Sequence, residues 1–254
     1  MNVEPYLNDL LVMVARANVA ILDVYHSRFA VEIKSDHSPL TQADKSSHAI
    51  ITAELARITP GIPVVSEEGN QEFNSQAVLA DTFWLVDPLD GTREFVARTG
   101  QFCAAIALID RAVPVFGMFS IPTEDTIYYG GKSLGAYKKI GDAVAQPIYA
   151  AHSHMGIVLA SRMDQGGATA EYIAQHFGSD ELLAYGSMLK YGMIAEGKAD
   201  AYPCIDRPLK LWDLAAGQAV IEGAGGSVTR PNGSQINYNN STLLVGDFVA
   251  RSTV

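Results

Sequence analysis

The segment WLVDPLDGTREF, Trp84 to Phe95, ends an apolar run on two aspartates three positions apart, Asp87 and Asp90, with Gly91 directly after them. Carboxylate oxygens are hard ligands that suit Mg²⁺, an ion that usually keeps waters and is shared with a substrate phosphate. Pro88 fixes its own φ and has no N–H, and Gly91 tolerates backbone angles that other residues resist, so the turn is tightly specified. Thr92 stands where a helix would follow, and the N–H groups of Gly91 and Thr92 can then face an anion. The chemistry on offer is a cation held beside a phosphate. A single Asp-Gly pair is better explained by a helix cap or an Asx turn.

Two more acids occupy comparable places. Glu67 follows the apolar PVVS, and Asp213 follows Trp212 at the start of a helical LAAGQAVIEGAG. Each alone reads as an ordinary cap or a solvated residue. Together, four carboxylates and a phosphate of about −1.5 to −2 sum to roughly −6. Two Mg²⁺ would cancel that in part and three would balance it, so two or three ions are expected. Such ions invert the local field. That reconciles an anionic substrate with a chain whose net charge is −10.

The elements that must position these acids follow from periodicity. Leu7, Leu10, Leu11, Val14, Ile21, Leu22 and Tyr25 predict an amphipathic opening helix. AVEIK predicts a short strand, and Thr41 with Asp44 three residues on predicts a capping box for a helix through about Ile58. IPVVSEEG and TFWLVDPLDG are buried strands that each end in acids and then glycine. From Phe102 to Lys139 an antiparallel meander is expected. The loop GDAVAQPIYAAHSHM divides the chain into 1–150, with most of the acids, and 151–254, where strands and helices alternate as in an α/β layer.

At 254 residues, 48% apolar and 18% charged, the composition is that of an ordinary globular protein. The negative charge argues against a nucleic-acid polymer as partner. No apolar run approaches the roughly 20 residues of a membrane span. The first residues carry charges within their apolar pattern and no basic start, unlike a signal peptide, so a cytoplasmic location is expected. Cys103 and Cys204 lack metal-ligand spacing and read as reduced thiols. His152 and His154 have no matching ligand cluster and read as loop histidines rather than a zinc site. GAGGS, Gly223 to Ser227, reads as a helix end, and Lys138 and Lys139 as a solvated strand end.

SEEG, WLVDPLDGTREF and WDLAAG, in this order and at these separations, resemble the inositol monophosphatase superfamily of Mg²⁺-dependent, Li⁺-sensitive phosphatases. The resemblance implies a layered α/β/α/β/α sandwich and a homodimer. It makes Glu67, Asp87, Asp90, Asp213 and the Leu89 carbonyl the metal ligands. It makes Asp44 and Thr92 the pair that holds and deprotonates the attacking water, and it puts Lys34 near the site mouth. Within the superfamily, glutamate in DGTREF, KSDHSPLTQAD, and Lys190 three residues after Ser187 look most like a 3′(2′),5′-bisphosphate nucleotidase. Gly91, Thr92, Ser187, Lys190 and Asp213 are then the substrate contacts.

Ser187 and Lys190 would share one face of a helix; on spacing alone they are equally an N-cap serine and a solvated lysine. The chain departs from the nucleotidase pattern at YPCIDRPLKLWD, where Cys204 stands in place of an arginine and Arg207 or Lys210 is left to compensate. Inositol or another sugar phosphate is therefore the alternative substrate, and a non-catalytic metal-binding scaffold the alternative of another class. Against the scaffold, Asp44, Glu67, Asp87, Asp90, Thr92 and Asp213 are all present.

Overall fold

The computed structural model describes residues 2–35, 37–150, 156–162, 167–178 and 181–252. His152 and His154 lie outside them. The expected opening helix is α1 (Leu7–Tyr25), which buries Leu10, Met13, Val14, Ala17 and Ile21. A small antiparallel pair, β1 (Glu32–Ile33) and β2 (Pro39–Leu40), leads to α2 (Gln42–Ile58). The predicted capping box starts α2: Ala43 N–H donates to the Thr41 hydroxyl, and Thr41 N–H donates to the Asp44 carboxylate at 2.7 Å. Next come β3 (Val64–Ser66), α3 (Gln71–Ala77) and β4 (Thr82–Asp90). The short α3 adds to the expected elements; Asn70 caps it by accepting from Phe73 N–H at 2.9 Å.

After α4 (Thr92–Val96), the expected meander runs through β5 (Cys103–Asp110), β6 (Val113–Ile121), β7 (Thr126–Gly131) and β8 (Gly135–Ile140), and the stretch read as a loop adds one more strand, β9 (Gln146–Ile148), paired to β8. The seven-stranded sheet has the order β3-β4-β5-β6-β7-β8-β9, with β3 and β4 parallel and the other pairs antiparallel. The rest of the chain alternates as expected: β10 (Ile157–Ser161), α5 (Gly167–His176), β11 (Glu181–Tyr185), α6 (Leu189–Ala195), β12 (Ala201–Cys204) and α7 (Trp212–Gly223). With β13 (Ser227–Thr229) and β14 (Phe248–Arg251) it forms a five-stranded sheet of order β11-β10-β12-β14-β13.

Strand alternation assigns the layers. Trp84 and Val86 of β4 pack with α1 and α2 in one apolar cluster. Phe83 and Leu85 face the other way, into a cluster with Leu214, Ala215, Val220 and Ile221 of α7 and with Tyr202 and Phe248 of the smaller sheet. α5 closes the far side, where its Thr169 hydroxyl meets the backbone of Ile205, just past β12. The result is the expected α/β/α/β/α sandwich, with α6 and α7 between the sheets.

Because α7 is covered on both sides, it is apolar nearly all round and uses small residues for close approach. A Cβ added to Gly117 of β6 would lie 2.4 Å from the Ala216 carbonyl oxygen. One expectation on charge is corrected. Lys138 is no solvated strand end: its ammonium pairs with Glu196 at 3.0 Å and lies over the Tyr128 ring, joining the large sheet to the end of α6. Gly117→Ala should lower stability by at least the ~1–3 kcal/mol of an overpacked core, read as a drop in thermal midpoint; an unchanged midpoint would contradict this helix–sheet contact.

Candidate functional site

In a regular strand, residues three apart point to opposite faces, so Asp87 and Asp90 ought to diverge. They do not, because β4 is irregular between them. Asp87 pairs with Ala105 and Asp90 with Cys103, so three steps along β4 match two along β5. This one-residue bulge sits at Pro88, which could not have donated to the ladder. It turns Leu89 toward the cluster around α1 and α2, and both acids toward α7. There α7 supplies Asp213 from its first turn, and the carboxylates of Asp87, Asp90 and Asp213 each place an oxygen within 4.8 Å of the others. Glu67, just past β3, donates its N–H to Val86 O at 3.0 Å and so enters next to Asp87.

Capping and turn contacts of these acids coexist with the clustering. Asp87 closes an Asx turn by accepting from Leu89 N–H at 3.0 Å. Asp213 accepts from Lys210 N–H at 2.8 Å. Neither contact neutralises a charge. Burial, and then the charges of Glu67, Asp90 and Asp213, hold the Asp87 carboxyl well above the usual carboxylate range. Burial, Asp90 and Glu67 do the same to Asp213. Asp90 is raised by burial against the opposing pull of Ser187 and Lys190. Glu67 is raised by burial despite the Lys34 ammonium 3.0 Å from it. Lys34 also pairs with Glu68. Burial alone would lower the Lys34 pKa, but its two carboxylates outweigh that and raise it. This set of hard oxygens, short of positive charge, fits a divalent cation.

Asp44 and Thr92 are brought together as expected. Asp44 is 2% exposed, and one of its oxygens serves the capping box. The other lies 3.1 Å from the Thr92 hydroxyl, which is also 3.1 Å from the Leu89 carbonyl oxygen. Ser47 donates to Pro88 O at 2.8 Å, tying α2 to the bulge. Gly91, at φ +86°, provides the left-handed turn that starts α4, and a Cβ there would meet Gln101 O at 3.0 Å.

The acids floor a cavity of about 380 Å³ whose lining includes Gly91, Thr92, Ser187, Lys190 and Arg207. The expected geometry of Ser187 and Lys190 is corrected. α6 begins at Leu189 with Met188 at its N-cap, and Ser187 stands outside it in the left-handed region, at φ +51°. No helix face joins the two. Instead Ser187 donates to the Asp90 carboxylate, and the Lys190 ammonium reaches back to Ser187 O at 2.6 Å and Tyr185 O at 3.2 Å. Nor is Lys190 solvated: it is 4% exposed, with its ammonium over the Tyr202 ring. Burial lowers its pKa to about 8, against the pull of Asp90. Of the two candidates to replace the missing arginine, Arg207 lines the cavity; Lys210 is not among its lining residues.

Ser161 and Tyr202 line the cavity and were not expected. Ser161 had a readable signal, since it ends the first strand of an α/β layer, and ligands bind outside the carboxyl ends of such strands. Cys103 and Cys204 are buried free thiols.

The carboxylate cluster sets a pH dependence. An acid whose pKa is higher in the fold than in the unfolded chain favours folding at low pH, and that contribution is lost as pH rises through the folded pKa. Metal-free protein should therefore lose stability through this cluster as pH rises above the usual carboxylate range. Asp87→Asn, which keeps the acceptor for Leu89 N–H, should reduce that loss and also reduce stabilisation by Mg²⁺. Thermal midpoints against pH, in chelator and in Mg²⁺, check both; a parallel pH profile for the variant would refute the repulsion.

Several known proteins are similar to this chain over most of its length. A 3′(2′),5′-bisphosphate nucleotidase CysQ of Escherichia coli (strain K12) is 34% identical over 234 residues, 91% of this chain and 93% of that one. The CysQ of Buchnera aphidicola is 32% identical over 253 residues, 96% of this chain and 91% of that one. Among solved structures, CysQ from Bacteroides thetaiotaomicron superposes with a TM-score of 0.83 at 34% identity, covering 98% of each chain. An IMPase of Thermotoga maritima shares the fold, with a TM-score of 0.76 at 18% identity over 98% of this chain and 92% of that one. With the inositol monophosphatase family model matching residues 4–253, the chain belongs to that family.

Proposed function

We propose that this phosphatase removes the 3′-phosphate of adenosine 3′,5′-bisphosphate, giving AMP and phosphate. Similarity to CysQ nucleotidases over more than nine-tenths of the chain supports the substrate. The observation that carries the reading is one cavity lined both by the carboxylate cluster and by the buried Lys190 with Ser187 and Arg207. A substrate with two phosphates matches such a site, one group meeting the acids through Mg²⁺ and the other meeting the basic residues.

In this reading Glu67, Asp87, Asp90, Asp213 and the Leu89 carbonyl hold two or three Mg²⁺. When bound, Mg²⁺ supplies charge compensation for the phosphate and makes water more acidic. The residues of the chain do the rest. The Thr92 hydroxyl has one proton, and when it donates to Asp44 its oxygen is free to accept a proton from water in the cavity. The Thr92 proton then passes to Asp44, whose pKa is raised by burial. This is general-base action by a relayed pair. Residues 1–150 bring most of the acids, and 151–254 bring Asp213 and the substrate-selecting residues. Action in the cytoplasm as a homodimer completes the reading; light scattering that returns a single-chain mass would remove the dimer.

One observation favours an inositol or other sugar phosphate instead: Cys204 occupies the place where nucleotidases of this family carry arginine. Phosphate release from adenosine 3′,5′-bisphosphate, inositol monophosphate and histidinol phosphate, each with Mg²⁺ and with added Li⁺, decides. The bisphosphate should be the preferred substrate and Li⁺ should inhibit; preference for inositol monophosphate would reject the nucleotidase reading.

Thr92→Ala and Asp90→Asn should abolish turnover with the fold intact by circular dichroism, and full activity of Asp90→Asn at saturating Mg²⁺ would remove the metal assignment, leaving a non-catalytic scaffold to consider. Lys190→Met should cut kcat/KM for the bisphosphate about ten- to hundredfold, the equivalent of a charge-assisted hydrogen bond of ~1.5–3 kcal/mol. Its effect on inositol monophosphate should be smaller; equal losses on both substrates would deny Lys190 a part in selection.

A further inference from the structure

Glu67 comes from the edge of the large sheet, where a backbone is least constrained. β3 pairs with β4 on one side only. Glu67 N–H points inward, to Val86 O, so by alternation the N–H and C=O of Ser66 point outward, where no strand among the described residues meets them. Exposed edge groups of this kind are ordinarily left to water or to another chain.

Here they are met by one side chain. The Asn74 amide oxygen accepts from Ser66 N–H at 3.3 Å, and its nitrogen donates to Ser66 O at 2.7 Å. That is the acceptor and donor a neighbouring strand would offer, supplied by a residue that is 3% exposed. The turn after Glu67 closes over this amide. Gly69 N–H donates to Ser66 O at 2.9 Å, and a Cβ on Gly69 would lie 3.0 Å from that oxygen and 3.2 Å from Asn74 Oδ1. From the other side, the Ser66 hydroxyl meets His48 Nδ1 of α2 at 2.9 Å. The residue before Glu67 is thus tied on every side, although it stands on an open edge.

We propose that Asn74 is a positioning residue for the cation site: its side-chain amide replaces a missing strand beside β3 and fixes Glu67 relative to Asp87. It touches neither substrate nor metal. The proposal rests on Glu67 being a metal ligand, so its test must separate the two ideas.

Calorimetric titration of metal-free protein with Mg²⁺, run beside thermal midpoints and Mg²⁺-dependent kinetics, provides that test. Asn74→Asp keeps the shape but cannot donate to Ser66 O; Asn74→Ala removes both contacts; Gly69→Ala strains the clamp while leaving the amide in place. All three should raise the Mg²⁺ Kd by about tenfold, the lower end of what removal of a ligand-orienting partner costs. kcat at saturating Mg²⁺ should remain near that of the unaltered protein.

Val78→Ala, a buried residue next to α3, is the control for mere destabilisation and should lower the midpoint without moving Kd. Asn74→Asp and Gly69→Ala variants that lose stability but keep the original Kd would overturn the proposal. Glu67→Gln should itself weaken Mg²⁺ binding. If it does not, the ligand assignment fails and the positioning role fails with it. If it does while the Asn74 and Gly69 variants bind normally, only the positioning role fails.

Discussion

Three carboxylates with oxygens inside 4.8 Å of one another, and largely out of water, are a costly thing for a fold to keep. Screening is weak at such a place, and each added charge raises the cost of ionising the next. The surrounding structure has to hold them there against repulsion until positive charge arrives. Much of the architecture near the cavity makes sense as rigid support for that arrangement. The bulge in β4 is covered by α2 through Ser47, the turn beyond it is fixed by Asp87 and Leu89, and Asp213 comes from a helix packed between two sheets. Support of this kind limits how far the acids can move apart.

The cations around the site are distributed to suit this charge without extinguishing it. Lys34 takes the outer acids Glu67 and Glu68, while Lys190 acts on Asp90 from a distance and directs its hydrogen bonds to carbonyl oxygens. The inner cluster thus stays underneutralised. A lysine buried against backbone carbonyls and an aromatic ring keeps its position whether or not an anion is present, which lowers the ordering cost of binding one. Ser187, forced into the left-handed region, links the acids to Lys190: its hydroxyl is on Asp90 and its carbonyl on Lys190. Strain of that sort persists only where the neighbours over-determine it.

Most elements were legible in the sequence because their signals are local. The period of α1, the capping box of α2, the apolar runs of β4 and β5 and the alternation after Gly156 each depend on residues close in the chain. The acids were legible as a set because each follows a strand or starts a helix. Less was legible where a residue's partner is remote. α3 has too few turns for a period to emerge, and its Asn74 meets a remote partner, the edge of β3. Lys138 reads as surface in the sequence because its partner, Glu196, lies far along the chain.

The sequence by itself determined which oxygens are available and that each would sit at the end of a regular element, because residue type and hydrophobic period are local quantities. It also determined a turn at Pro88 and Gly91, since those two residues allow few backbone angles. Only the tertiary structure decided that Asp87 and Asp90 point the same way, because that depends on how β5 pairs with a strand that slips by one residue. It likewise decided that Lys190 is buried and that Ser187 lies outside the helix. Burial and backbone strain are set by what packs against a residue, and those neighbours come from distant parts of the chain.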